Sequence, residues 1–202
     1  MRLSASETLL LFPTVLHVTR YREAQDLNFE LKSTIDSLRR TILGTPPVEF
    51  GCTMFSTMVT EPSLHTRDSL AELVRFVLNE VSSFADVMDY DAPDVAISKC
   101  WLNILGPGDS CDLHNDINGC VSGIYFVNSA ATEGSRLQIH APLGDEMIVI
   151  KKSKVSDLNV TEIFFDGEPG DLLLFPSHLM RSWTLNKSKN EQQMFLFTAT
   201  IS

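Results

Sequence analysis

The pattern of apolar residues changes near residue 94, and this change limits the fold more than any other feature of the chain. Beyond it, β-type runs alternate with turn residues at 95–105, 121–128, 136–140, 146–151, 162–165, 171–175, 181–185 and 193–201. Eight short runs are typical of a sandwich or a jelly-roll barrel. Since no helical segments separate them, a parallel doubly wound sheet is disfavoured.

The first 94 residues have a different, helical periodicity. Apolar side chains recur at intervals of three and four between Leu27 and Leu38, and again between Leu70 and Phe84, which predicts two amphipathic helices. Thr66 is the expected N-cap of the second helix. We therefore expect one α+β domain over 1–202, with a helical support region at 1–94 that buttresses a β-barrel core at 95–202.

Size and charge exclude several classes of protein. The chain has 202 residues, the size of one domain, and 26 acidic against 16 basic side chains give it a formal net charge of -10. Its field repels polyanions, so we expect neither nucleic acid nor membrane as a partner. The four cysteines form no CxxC pair, which predicts reduced thiols in a soluble, cytoplasmic protein. Whether the two helices form a homodimer interface stays open.

A histidine and a carboxylate lie close together at His114-Asn115-Asp116. In an extended chain, residues i and i+2 point to the same face, so His114 and Asp116 project together. This pair supplies two ligands of a 2-His-1-carboxylate triad, which holds iron(II) with open positions. A third histidine, His178, ends the apolar run that begins at Gly170, and a barrel can bring it beside the other two.

The run at 136–140 offers further polar candidates. Leu137 and Ile139 share one face of this strand, while Arg136, Gln138 and His140 share the other. The polar face lines a cavity or meets solvent, and for His140 either position is favoured over metal ligation. Arg136 is a candidate for binding a carboxylate.

Several motifs occur in order along the chain: Trp-Leu-Asn-Ile at 101–104, Gly-Pro-Gly-Asp at 106–109, His-Asn-Asp at 114–116, Ser-Gly-Ile-Tyr-Phe-Val at 122–127, Gly-Asp-Leu at 170–172 and Phe-Pro-Ser at 175–177. With Leu-Phe-Pro-Thr at 11–14, they make the chain similar to the small iron(II)/2-oxoglutarate oxygenases. This resemblance implies a double-stranded β-helix, Fe(II), 2-oxoglutarate, O2 and a small-molecule substrate. Asn103 and Tyr125 lie on strands that would flank such a site, where they would hydrogen-bond cosubstrate or substrate. Tyr125 is equally explained as a core residue with its hydroxyl at the edge.

The sequence departs from that family at two positions. The distal histidine ligand of the family is replaced by Arg181, and a guanidinium stays protonated and cannot ligate a metal. The family's last strand carries Arg-x-Ser, whose arginine holds the far carboxylate of 2-oxoglutarate. Here the matching residues are Gln193, Met194 and Phe195.

Three interpretations of these departures remain open. In the leading one, His178 becomes the third ligand through a bulge, and the protein uses a 2-oxo acid and O2 to oxidise an aliphatic C–H bond. In the second, Arg181 points into the barrel and anchors a carboxylate, while His140 or water completes a weakened metal site. In the third, the metal is gone and the jelly roll is a catalytically inactive binding module. An oxidase that keeps the metal but does not use 2-oxoglutarate is a further alternative.

Overall fold

The computed structural model describes residues 14–92, 94–129, 133–142, 151–156 and 159–202. Its strands are β1 (His17–Arg20), β2 (Phe55–Ser56), β3 (Val95–Leu105), β4 (Cys111–His114), β5 (Val121–Phe126), β6 (Leu137–His140), β7 (Glu162–Phe165), β8 (Asp171–Pro176), β9 (Arg181–Trp183) and β10 (Gln192–Ile201). Its helices are α1 (Ala24–Thr41) and α2 (Ala71–Val87), with short 3-10 helices at Val48–Phe50, Leu64–Thr66 and Asp68–Leu70.

The strands form two facing sheets. One has six strands in the order β1-β8-β5-β10-β3-β2, and the other has four in the order β4-β9-β6-β7. All neighbouring strands run antiparallel. From β3 to β10 the chain crosses repeatedly between the sheets, which is the winding of a jelly roll. The predicted α+β class and jelly-roll barrel are confirmed.

Each face of the six-stranded sheet has its own core. On β10, Phe195 and Phe197 pack with the helices in one apolar cluster. Met194 and Leu196 pack in a second cluster, which fills the space between the two sheets. Side chains that alternate along a strand point to opposite faces, so a single strand serves both cores. The helices therefore cover the barrel from outside, as the sequence predicted.

The helix periodicities are confirmed, but the predicted cap of α2 is wrong. Leu27, Leu31 and the apolar residues that follow them on α1 are buried. Helix α2 begins at Ala71, because 3-10 turns occupy the residues before it. The hydroxyl of Thr66 donates to the carbonyl oxygen of Ser63 at 2.9 Å and does not cap the helix.

The expectation of reduced thiols is wrong for one pair of cysteines. Cys52 and Cys111 are joined by a disulfide, while Cys100 and Cys120 are free. In the described residues, no helix is long and apolar enough to span a membrane. The predicted strand at 146–151 falls largely on residues 143–150, which lie outside those described.

Gly123 provides a test of how the sheet packs on the helices. It pairs directly with Phe197 across β5 and β10, and a methyl group at Gly123 would overlap the Phe197 ring. We predict that Gly123→Ala lowers the free energy of unfolding by about 1–3 kcal/mol because the core becomes overpacked. Urea titration measures the change. Gly106→Ala is the control, since the atom nearest to a methyl group placed there lies 3.4 Å away. Equal effects of the two substitutions on stability would contradict the close packing of Gly123 against Phe197.

The free thiols should differ in reactivity. Burial raises the pKa of Cys100 to about 12, so at pH 8 only about one in ten thousand of these thiols is a reactive thiolate. Cys120 is exposed. We predict that alkylation of the native protein at pH 8 adds one label, detected by mass spectrometry, and that Cys120→Ser abolishes it. Labelling of Cys100 at a similar rate would show that this part of the core opens readily.

Candidate functional site

His114 ends strand β4 with its imidazole fixed by local contacts. Its Nδ1 lies 2.7 Å from the carbonyl oxygen of Asp112, so this nitrogen carries the proton and Nε2 keeps its lone pair. The ring stacks on Phe50 with 4.9 Å between centroids. Burial lowers the pKa of His114 to about 4, with the charge of Arg181 as a second cause. The imidazole is therefore neutral at physiological pH.

Asp116 follows two residues later and is buried. Its backbone N–H donates to the carbonyl oxygen of Ser177 at 3.2 Å. Its Oδ2 accepts a hydrogen bond of 2.6 Å from the hydroxyl of Ser122 on β5. The Ser122 and Ser177 hydroxyls lie 2.8 Å apart, and because the single proton of Ser122 goes to the carboxylate, Ser177 donates to Ser122. These bonds fix the carboxylate inside the barrel.

Arg181 begins β9, where its backbone pairs with His114. Its side chain is 1% exposed, and Nη2 lies 2.8 Å from both carboxylate oxygens of Asp116, whose side chain is 4% exposed. The guanidinium also lies over the ring of Phe175, with 5.5 Å from Cζ to the centroid. No other lysine, arginine or histidine of the described residues is fully buried. The charge of Asp116 is therefore neutralised by the protein itself.

The guanidinium is only partly satisfied by this ion pair. Nε and Nη1 of Arg181 are buried and have no hydrogen-bond partner among the described residues. Oδ1 of Asn103 and Oε1 of Gln192 are unpaired in the same way. Strand alternation places Asn103 and Gln192 on the faces of β3 and β10 that carry the barrel core. The interior thus contains polar groups that lack partners, which is unusual for buried atoms.

The structure does not bring the predicted third ligand to the other two. His178 is exposed in the turn after β8. His140 lies on the outer face of β6, with Nε2 3.4 Å from the hydroxyl of Ser182. Across the residues that are described, no three His, Cys, Asp or Glu side chains are grouped closely enough to hold a metal ion. His114 and Asp116 share Arg181 as a neighbour, and their role as metal ligands stays a prediction.

Three predicted cofactor-binding residues lie elsewhere. Arg136 is exposed and forms an ion pair with Asp166. Tyr125 faces the helices, and its hydroxyl donates to Oδ1 of Asn28 at 2.8 Å. Gln193 alternates with the inward-facing Met194, so it points away from the barrel interior. None of these three side chains faces the space between the two sheets, and their role in cofactor binding stays a prediction.

Gln192 is the inward-facing residue that sequence reasoning missed. It precedes Met194 by two positions and is 3% exposed. The signal was present in the sequence, because alternation from the core residues Met194 and Leu196 also selects Gln192.

The comparison with protein families identifies the barrel. Residues 99–197 match the family described as "Putative 2OG-Fe(II) oxygenase". The match covers 99 of the 202 residues. The resemblance found in the sequence is thereby confirmed, and with it, at the level of the family, the prediction of an oxygenase-type enzyme with Fe(II) and 2-oxoglutarate as cofactors. No curated protein matches the sequence.

Solved structures show the same fold at low sequence identity. A prolyl-4-hydroxylase from Pseudomonas putida is 11% identical, with a TM-score of 0.66 over 94% of each chain. The non-haem α-ketoglutarate-dependent epimerase SnoN of nogalamycin biosynthesis is 8% identical, with a TM-score of 0.70 over 93% of this chain and 77% of that one. HygX from Streptomyces hygroscopicus, solved with nickel and 2-oxoglutarate, is 12% identical, with a TM-score of 0.65 over 94% and 83%.

The residues present do not fit the iron that this family implies. Arg181 pairs with His114 at the position of the third ligand, and a guanidinium has no lone pair to donate. Both oxygens of Asp116 already accept hydrogen bonds. The usual 2-oxoglutarate anchor is also missing, since β10 contains no basic residue. Arg181 is the only fully buried lysine, arginine or histidine within the described residues.

The coupling between Arg181 and Asp116 is measurable. We predict that Arg181→Gln and Asp116→Asn each lower the free energy of unfolding by about 3–5 kcal/mol, because each leaves one buried charge uncompensated. The double variant leaves no buried charge, so its loss in free energy of unfolding should be clearly smaller than the sum of the losses in the two single variants. A double-mutant cycle from urea titrations gives the coupling energy. Additive effects would mean that the two groups are not paired in solution.

Proposed function

We propose that this oxygenase-family barrel binds a small carboxylate-bearing molecule and that Arg181 anchors it. The observation that carries the proposal is the set of buried N–H groups on Nε and Nη1 of Arg181, which have no acceptor among the described residues. Leaving such a group unpaired costs about 1–3 kcal/mol. Oxygen atoms of a carboxylate are strong acceptors for a guanidinium. A ligand of this kind removes the cost and explains why the arginine is retained in the interior.

The choice of probes follows from the anchor alone. Asn103 lies level with Met194 on β10 and Gln192 two residues beyond it, whereas Ser122, which contacts Asp116, pairs with Thr198. Four to six residues of strand, about 14–20 Å, separate these amides from the ion pair, so a small ligand held by Arg181 does not reach both of them. Glutarate, 2-oxoglutarate and glutamate share a five-carbon chain with two carboxylates and differ only in the group at C2, so together they report on the anchor and on what surrounds that carbon.

Binding is tested without metal. We predict that calorimetry in the presence of a chelator detects binding of at least one of the three probes to the native protein. The double variant Arg181→Gln with Asp116→Asn removes the anchor and leaves no unpaired charge in the interior. It should bind the probe at least tenfold more weakly than the native protein does. Arg136→Gln removes an exposed arginine and is the matched control, with unchanged affinity expected.

Two results would contradict this function. One is the absence of heat and of thermal stabilisation with millimolar concentrations of all three probes. The other is equal binding by the native protein and the double variant, which would place the ligand away from Arg181.

The oxidation of an aliphatic C–H bond in a small molecule or an amino-acid-like substrate is the second candidate function. The match to the oxygenase family over residues 99–197 favours it, and so does the retained pair His114 and Asp116. It requires Arg181 to leave Asp116 and another group to complete the metal site. Succinate release that depends on added Fe(II) and is lost in His114→Ala would favour this function over binding alone. Cytoplasmic location and homodimer formation stay predictions.

A further inference from the structure

The pairing of β4 with β9 defines what stands at the position of the third ligand. His114 and Arg181 are register partners on these adjacent strands. Asp116, two residues beyond His114, contacts the Arg181 guanidinium at 2.8 Å. Side chains of directly opposite residues lie on the same face of a sheet, so those of His114 and Arg181 are neighbours. Two members of a metal triad are thus present, and a cation occupies the place of the third.

The guanidinium also takes over what a metal ion does for the carboxylate. Its positive charge balances Asp116, and Nη2 lies within hydrogen-bond distance of both carboxylate oxygens. The pair is almost completely buried, which weakens screening by solvent and salt. A divalent cation at this point would have to displace a hydrogen-bonded cation or lie beside it, and the second arrangement is repulsive.

We infer that Arg181 is a built-in replacement for the metal, so that the protein is complete without iron and a single substitution reopens the site. Arg181→His removes the cation and adds an imidazole opposite His114. The resulting set of two histidines and one aspartate is the facial triad that binds divalent iron and related metals. This inference does not depend on the ligand proposed above. It concerns the ion pair that Nη2 of Arg181 forms with Asp116, whereas the proposed ligand would bind Nε and Nη1.

Metal titration of purified, chelator-treated protein tests the inference, with Co²⁺ as the probe and calorimetry and visible absorption as readouts. The native protein should show no stoichiometric site at submillimolar Co²⁺. Arg181→His should bind one Co²⁺ per chain at least a hundredfold more tightly, with d–d absorption bands from the bound ion. Adding His114→Ala to that variant should remove both signals.

Arg136→His is the matched control. It exchanges the same residue types beside the four-stranded sheet, at an exposed arginine that pairs with Asp166. It should not gain a Co²⁺ site. That result would show that the new site in Arg181→His depends on the position of residue 181 and not only on the presence of an added histidine.

Two results would overturn the inference. The first is stoichiometric binding of Co²⁺ by the native protein that is lost in His114→Ala, because the arginine would then not exclude a metal. The second is a folded Arg181→His variant, judged by near-ultraviolet circular dichroism, that gains no affinity. If that variant is unfolded without metal, Co²⁺ should restore its fold, because the ion supplies the missing cation; failure to do so also counts against the inference.

Discussion

The ion pair between Arg181 and Asp116 is the interaction on which the interior of this barrel depends. It joins β9 of the four-stranded sheet to the loop after β4, and the hydroxyls of Ser122 and Ser177 extend it to β5 and to the turn after β8. Both sheets therefore meet at one buried carboxylate. Either charge alone would be expensive to bury, so each residue makes the other necessary. In a site of two histidines and one carboxylate, a metal ion balances the carboxylate; here the guanidinium of Arg181 does so.

Much of the fold follows from local pattern. The run at 162–165 coincides with β7, and those at 171–175 and 193–201 lie within one residue of β8 and β10. Strands β1, β2 and β4 were missed because β2 has only two residues, while HVTR in β1 and CDLH in β4 each contain a single aliphatic side chain, too few for alternation to stand out. Helix α2 starts later than the Thr66 cap predicted, because the preceding residues pack as 3-10 turns against the barrel, and local propensity does not reveal that packing.

The site was predictable in part. The i, i+2 spacing placed His114 and Asp116 together, and the resemblance to the oxygenases identified Arg181 as the departure that matters. The sequence did not decide which face of a strand meets the interior, and a shift of one residue reverses that answer. For this reason Tyr125 could equally be a core residue, and the family motif selected Gln193 without showing which way its side chain points. Nor did the sequence show that Arg181 pairs with Asp116, because that contact spans 65 residues and depends on the winding of the sheets.

The most direct measurement of this account is an anomalous difference map, recorded at the iron edge, from native crystals grown without oxygen in excess Fe(II). The account predicts no peak between His114 and Asp116, with density for the Arg181 guanidinium against both carboxylate oxygens. A strong peak there, with His114 and Asp116 as ligands and Arg181 turned away, would contradict it and would return the barrel to the metal-dependent chemistry of its family.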